Sequence, residues 1–321
     1  MKPLQEKITI DDNLNKIKDF IQEIIINPRH TLKKWSELTR QTPSIKLGYI
    51  GQHLASLITG IQGSGSGARG DDLCDGTEVK SCNKIDQLDK CKDCGSRVLR
   101  YEERCLSCGS SNIDRRNDSK WLFSIRSEHE LKQYENLDRI LLILTDYPDF
   151  SNNVFTDVRI SAFEIYPKNK KCNVFIKLIN NHFHNIYTPK IKKKKKANPM
   201  NLHPFSFQFY KCNPTLVFEC IIKNIEDAAK CKIIVTHYFE PNQDRTGSML
   251  MPTHLLKPKE WCALNYKKIK DIYKIKLTKK EFLKLSIDKK VELVPEISEE
   301  LREDLPLRDI ISKDHPSQYQ R

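Results

Sequence analysis

An α/β chain, with a mixed β-sheet flanked by helices, is the fold class this sequence predicts, and three observations carry the prediction. Apolar runs of strand length recur from Trp121 onward, in "WLFSIR", "RILLILTDYP", "VRISAFEIY", "NVFIKLI", "LVFECIIK" and "CKIIVTHYF". Between the first two lies "SEHELKQYENL", which reads as a short helix, so strand and helix alternate. Ahead of them is a segment of helical periodicity, and 321 residues suffice to bury a core without disulfide or metal staples.

Taken in order, Asp11 or Asp12 is expected to cap a helix whose apolar positions Leu14, Ile17, Phe20, Ile21, Ile24 and Ile25 share one face, with Pro28 ending it. A second helix is expected from near Pro43 through "SIKLGYIGQHLASLITG", stopping at Gly60. A glycine and serine run, Gly63 to Gly70, then separates the helical part from a different kind of structure. The late pieces "TKKEFLKLSI" and "EISEELREDLPLRDII" read as helical or peripheral. The expected division is an N-terminal helical region over 1–62, a core over 63–165 with an insertion at 89–112, and a basic region over 166–321.

The formal charge of +13 is informative once located. From Tyr166 to Phe218 there is no acid and there are eleven lysines, Lys192, Lys193, Lys194, Lys195 and Lys196 among them, which leaves about +2 for the remainder. Phe175, Phe183, Tyr187, Phe205, Phe207, Phe209 and Tyr210 interleave this basic stretch, as on a folded face that meets a polyanion. A solvated lysine surface with a mobile loop is the plain alternative. Membrane binding is disfavoured, because the lysines do not lie on an amphipathic helix and no apolar run reaches membrane length. The polar start "MKPLQEKITIDDN" lacks a signal-peptide core, so a cytoplasmic, reducing compartment is expected, where clustered cysteines bind metal or are buried.

The stretch "DDLCDGTEVK" follows the glycines. On a strand, alternation points Glu78 and Lys80 to one side and Val79 into the core. With an aspartate brought close, two carboxylates can hold Mg2+, which polarises a phosphoryl oxygen, while Lys80 orients water or stabilises developing charge. A lone Glu-x-Lys is common on solvated strands; here an upstream acid, a glycine-rich entry and a downstream basic region accompany it. "GSGSGARG" is no P-loop, because it lacks the lysine followed by Ser or Thr.

"CKDCGSRVLRYEERCLSCG" places Cys91, Cys94, Cys105 and Cys108 as two Cys-x-x-Cys pairs, each followed by glycine. Four thiolates favour tetrahedral Zn2+ with no open position, hence a structural zinc ribbon. Lys92, Arg97, Arg100, Arg104, Arg115 and Arg116 in and beside it are candidates for phosphate contact. The other cysteines, Cys74, Cys82, Cys172, Cys212, Cys220, Cys231 and Cys262, lack ligand spacing and read as small apolar residues.

The acidic stretch resembles the PD-(D/E)xK nuclease superfamily, with an Asp, a turn at Gly76, then Glu-x-Lys. Its compact spacing is similar to that of the nicking endonuclease of mismatch repair and its restriction-enzyme relatives. Asp71 fits that spacing best, Asp72 can serve instead, and Asp75 is a supporting or turn residue; the proline that usually precedes the Asp is missing. Together, "ARGDDLCDGTEVKSC", "DQLDKCKDCGSRVL", "CLSCGS" and "DSKWLFSIRSE" resemble the MamI family of type II restriction endonucleases, most clearly over 49–148. The resemblance implies a restriction-endonuclease-like core with an inserted ribbon, with Asp71, Glu78 and Lys80 catalytic and Asp71 and Glu78 holding Mg2+. It also implies a homodimer cutting double-stranded DNA at an interrupted palindrome of the GAT-N4-ATC kind, beside a cognate DNA methyltransferase.

For base reading, "HYFEPNQDRTGSM" offers Asn242, Gln243 and Arg245, whose groups suit bidentate contacts to adenine or guanine; an ordinary polar turn is the alternative. The lysines of "KIKKKKKANP" can neutralise phosphates without reading sequence. Two competing functions stay open at this level: a repair nuclease of the same fold that nicks one strand, and a zinc-ribbon DNA-binding protein without catalysis.

Overall fold

The computed structural model describes residues 3–44, 47–65, 72–169 and 174–308. In chain order the main elements are α1 (Asn13–Phe20), α2 (Asn27–Thr39), α3 (Leu47–Thr59), β1 (Glu78–Asn83), β2 (Asp89–Cys91), β3 (Arg97–Val98), β4 (Ile113–Asp114) and β5 (Trp121–Phe123). There follow α4 (Glu128–Glu135), β6 (Ile140–Asp146), β7 (Val158–Ile165), α5 (Val174–Asn181), α6 (Thr188–Lys192), β8 (Met200–Leu202), α7 (Phe207–Lys211), β9 (Thr215–Lys223) and β10 (Lys232–Tyr238). The last are β11 (Met251–Pro252), α8 (Pro258–Ala263), α9 (Tyr266–Tyr273), α10 (Lys279–Lys284), α11 (Ile287–Leu293), β12 (Glu296–Ile297) and α12 (Glu299–Arg302). They fall into two compact units assembled from non-contiguous segments: 1–121, 140–164 and 216–245 form unit 1, and 122–139, 165–215 and 246–321 form unit 2.

Unit 1 is built on a five-stranded mixed sheet of order β1-β6-β7-β9-β10. β1 runs parallel to β6, with Glu78 opposite Ile140 and Lys80 opposite Leu142, while β9 and β10 are antiparallel with an irregularity between Val235 and His237. All seven residues of β6 are buried, as a strand covered on both faces requires. One face packs Val79, Leu141, Ile143, Val158 and Ile160 against Ile17, Ile21, Leu54 and Ile58 of the helices. Alternation along β1 therefore sends Glu78 and Lys80 to the other face. The close seating of α3 on β1 needs Gly51, because a Cβ there would lie 1.9 Å from Ser81 Oγ.

Pro28 does not end the first helix. A π-helical turn, Ile21–Ile26, joins α1 to α2, and Pro28 sits in the first turn of α2. The widened turn comes directly before the ring, where an unbroken α-helix would set the ring against the carbonyl four residues back. At the other end Asp12 stands at the N-cap with a left-handed φ of 46° and makes no side-chain cap bond. The predicted second helix is present as α3, followed by Gly60 at φ 70°.

Unit 2 corrects one expectation and decides between the alternatives of another. Of "NVFIKLI", the described residues Val174 to Ile179 are helix, not strand: Val174, Phe175, Leu178 and Ile179 are buried, and their spacing is that of one helical face. A short apolar run fits both periods, and here the longer rod decided. The acidic C-terminal piece, expected as helical or peripheral, carries the short helix α12 and is partly buried rather than peripheral. Leu301, Arg302, Leu305 and Arg308 are buried. Arg302 donates to Asn213 Oδ1 at 3.0 Å and Ser248 Oγ at 2.7 Å, and Arg308 donates to both Glu260 oxygens at 2.7 and 2.9 Å while lying 4.0 Å from the Phe207 ring centre. Guanidinium groups suit this task, since one planar fork meets several acceptors.

Candidate active site and metal centre

The acidic stretch folds as a tight turn entering β1. Leu73 is fully buried and anchors it; Gly76 N donates to Leu73 O at 3.0 Å, and Gly76 takes a φ of 81° that favours glycine. Asp72 N and Leu73 N both donate to Thr77 O, which folds the Asp72 side chain back over the strand. Asp72 Oδ2 accepts from Val79 N at 2.7 Å, and its Oδ1 accepts from Gln52 Nε2 of α3 at 2.5 Å. Glu78 and Lys80, partly exposed, form an ion pair on β1.

Asp72 belongs electrostatically to this pair. Burial pushes its carboxyl above the ordinary value, and the Glu78 charge pushes the same way, against the Val79 hydrogen bond and the Lys80 ammonium. Two mutually repelling carboxylates beside one lysine suit a hard divalent cation, whose binding would relieve that repulsion. Asp75 instead accepts from Thr77 N at 3.2 Å within the turn. Asp71, the acid that spacing favoured, lies outside the described residues. Gln52 was not a sequence candidate. The available signal was its neighbour Gly51, a glycine inside a helical pattern, which marks close backbone approach.

The four cysteines come together as expected. The Sγ atoms of Cys91, Cys94, Cys105 and Cys108 all lie within 4.8 Å of one another, with Cys91 to Cys108 at 3.6 Å and Cys94 to Cys105 at 3.5 Å. Zn–S bonds of about 2.3 Å in a tetrahedron place sulfurs about 3.8 Å apart, so the donor set fits Zn2+. Each pair closes identically: Gly95 N donates to Cys91 O and Gly109 N to Cys105 O, with φ of 75° and 73° at the glycines. β2, β3 and β4 form the small sheet beside them, in the order β3-β2-β4.

A buried ion network fastens this ribbon within unit 1. Asp89 of β2 pairs with Arg100 at 2.9 Å and Arg115 at 2.8 Å, and accepts from Arg116 N at 2.8 Å. Arg100 lies 4.9 Å from the Phe155 ring centre and 5.1 Å from that of Phe150. Beside it, Arg29 of α2 forms a two-bond pair with Asp86, whose Oδ1 also accepts from Tyr147 Oη at 2.9 Å. Arg100 and Arg115 are therefore committed to Asp89, which removes two of the six cations expected to contact phosphate.

The base-reading candidates separate in the structure. Asn242 and Gln243 are exposed, and Gln243 Oε1 accepts from Glu240 N at 2.8 Å. Arg245 departs from expectation: it is 1% exposed, donates to Glu164 Oε2 at 3.1 Å and to the carbonyls of Glu240 and Gln243, and so holds the turn from inside. The lysine run ends a helix: Lys192 closes α6, and Lys193, Lys194 and Lys195 form its C-terminal turn with exposed side chains. Cations there also complement the helix dipole. Among the described residues, no helix is long and apolar enough to cross a membrane.

Comparison with known proteins bears on the whole arrangement. A segment of 83 residues is 34% identical to the type II restriction enzyme MamI of Microbacterium ammoniaphilum, covering 26% of this chain and 27% of that relative. No solved structure matches the chain. The MamI restriction endonuclease family matches residues 34–254, a span that holds the acidic turn, β1, the cysteine ribbon and the whole five-stranded sheet. By that match the chain belongs to the MamI restriction endonuclease family.

Proposed function

We propose that this protein is a Mg2+-dependent type II restriction endonuclease that cuts both strands of duplex DNA at an interrupted, two-fold symmetric site. The observation that carries the reading is the convergence of Asp72, Glu78 and Lys80 at the entry to β1, in a chain of this family. The fold inferred for unit 1 is a PD-(D/E)xK core with an inserted zinc ribbon. A homodimer acting in the cytoplasm beside a cognate methyltransferase goes with this reading.

Asp72 and Glu78 would hold Mg2+, with Asp71 as the alternative first acid; the bound ion would polarise the scissile phosphoryl group and lower the pKa of a water. Gln52 and the Val79 amide each occupy one Asp72 oxygen, fixing the carboxylate while leaving each oxygen a further acceptor position. Lys80 pairs with Glu78 and would supply positive charge for the phosphoryl oxygens as attack proceeds. Cys91, Cys94, Cys105 and Cys108 would hold structural Zn2+, and Lys192 to Lys195 would neutralise phosphates.

Incubation with unmethylated phage DNA, with and without Mg2+, tests this beside a Glu78→Ala, Lys80→Ala double variant. Discrete limit fragments from the wild type alone, abolished by chelator, are expected. Nicked circles without linear product would indicate the one-strand repair nuclease. Retarded but uncut DNA under every divalent ion would leave a zinc-ribbon binding protein.

A further inference from the structure

A second concentration of positive charge lies beyond the family match, which ends at residue 254. Between Lys257 and Lys290 there are twelve lysines and four acids. Two of those acids are consumed internally: Glu260 is buried and receives Arg308, and Glu281 closes the capping box of α10 with Thr278. Lys268 pairs with Glu300, and Lys290 donates to Leu283 O at 2.8 Å. By contrast Lys267, Lys270, Lys274, Lys276, Lys279, Lys280, Lys284 and Lys289 are exposed, and none forms an ion pair among the described residues.

Their arrangement is ordered by the fold. Lys267, Lys270 and Lys274 recur at i, i+3 and i+7, along one side of α9 and its C-cap. Lys279 begins α10, and α9 and α10 are fixed to each other through Phe282, whose ring centre lies 5.4 Å from that of Tyr266, and through Tyr266 Oη donating to Leu277 O at 2.6 Å. Lys267, Lys270 and Lys279 thereby converge on an open groove of about 750 Å³ whose walls include Asn265 and Thr278 and a single acid, Asp304. Like charges held this close repel unless a polyanion lies between them.

We propose that this groove is a second phosphate-backbone contact for duplex DNA, separate from the lysines that end α6 and blind to sequence. The proposal rests on the nuclease reading for its choice of polyanion. It does not depend on cleavage. Neutralising three contacts removes counterion release of roughly 0.9 per phosphate, so the salt slope of binding falls by about 2 to 3.

The test is fluorescence anisotropy of a labelled duplex in EDTA across a salt series, comparing wild type with a Lys267→Gln, Lys270→Gln, Lys279→Gln variant. The shallower slope is expected, with affinity at low salt weaker by about tenfold or more. The corresponding Lys→Arg triple variant should retain the wild-type slope, and a Lys7→Gln, Lys34→Gln control in unit 1 should leave it unchanged. An unaltered slope in the Gln triple variant overturns the proposal. So does loss of binding to acidic phospholipid vesicles with duplex binding intact, which would make the groove a membrane contact. Phage DNA cleavage by the wild type is scored in parallel. Cleavage with an unaltered slope removes this proposal alone, whereas an altered slope without cleavage removes the nuclease reading and leaves the groove as a DNA contact.

Discussion

Unit 1 and unit 2 handle charge in opposite ways. Unit 1 carries a formal charge of −1 and unit 2 carries +14 of the chain's total. In unit 1 a set of charges is turned inward and matched: Arg29 with Asp86, Asp89 with Arg100 and Arg115, Arg159 with Asp146, and Arg245 with Glu164. In unit 2 Arg139, Arg302 and Arg308 are likewise buried, but most of the described lysines stand exposed and without acids. Placing two carboxylates against phosphodiesters is unfavourable electrostatics on its own. On the proposed reading, the attraction that overcomes it comes from a different part of the chain, so chemistry and affinity should be separable by mutation.

The largest expected effect would break that separation if it failed. Glu78→Ala or Lys80→Ala should lower the cleavage rate by at least about a thousandfold, with duplex binding in Ca2+ within a factor of about two. Loss of binding in step with cleavage would mean that unit 1 supplies affinity as well. Next in size is Asp89→Ala, which strands Arg100 and Arg115 inside unit 1. It should cost about 3 to 5 kcal/mol in urea unfolding and speed zinc release to a chromogenic chelator. A change below about 1 kcal/mol would make the network decorative.

Unit 2 offers a pH probe. Burial pushes the Lys211 ammonium down to about 8, and the neighbouring Arg302 charge acts in the same direction. Its folded value lies below the unfolded one, so between about pH 8 and pH 10.5 the unfolded chain binds the extra proton and stability rises with pH. The rise is on the order of 3 kcal/mol. In Lys211→Met that slope should vanish, with some stability lost because the Arg302 and Leu305 carbonyls lose their donor. The smallest effect concerns α3. Gly51→Ala should cost about 1 to 2 kcal/mol through overlap with Ser81. In a Ser81→Ala background the same change should become neutral or favourable, because alanine is the better helix former by about 1 kcal/mol. Persistence of the cost there would place the conflict at the Cβ of residue 81, 3.1 Å from the added methyl, rather than at Ser81 Oγ.

Legibility followed the range of the interactions. β6, β7, β9 and β10 and the helices α3 and α4 lay where apolar periodicity put them, and the paired Cys-x-x-Cys-Gly units formed the expected cluster. Errors came where a local signal had two physical outcomes. Pro28 breaks a helix interior yet is tolerated in a first turn, and the π turn ahead of it has no sequence mark. Val174 to Ile179 fits both a short strand and one turn and a half of helix. Arg245 carries the same donors whether it faces DNA or Glu164, and only burial distinguishes the two.

By itself the sequence determined what is set within a few residues: the thiol spacing, the alternation that puts Glu78 and Lys80 on one face, the glycines at the knuckles, and where the positive charge is concentrated. The tertiary structure decided that Gln52, twenty residues away, grips Asp72. It also decided that Asp89 consumes two of the ribbon's arginines, and that Lys267 and Lys279 share one groove. The reason is physical. Periodicity and spacing encode the geometry of one element, whereas partner choice between elements depends on which surfaces pack, and that is fixed only when the whole core closes.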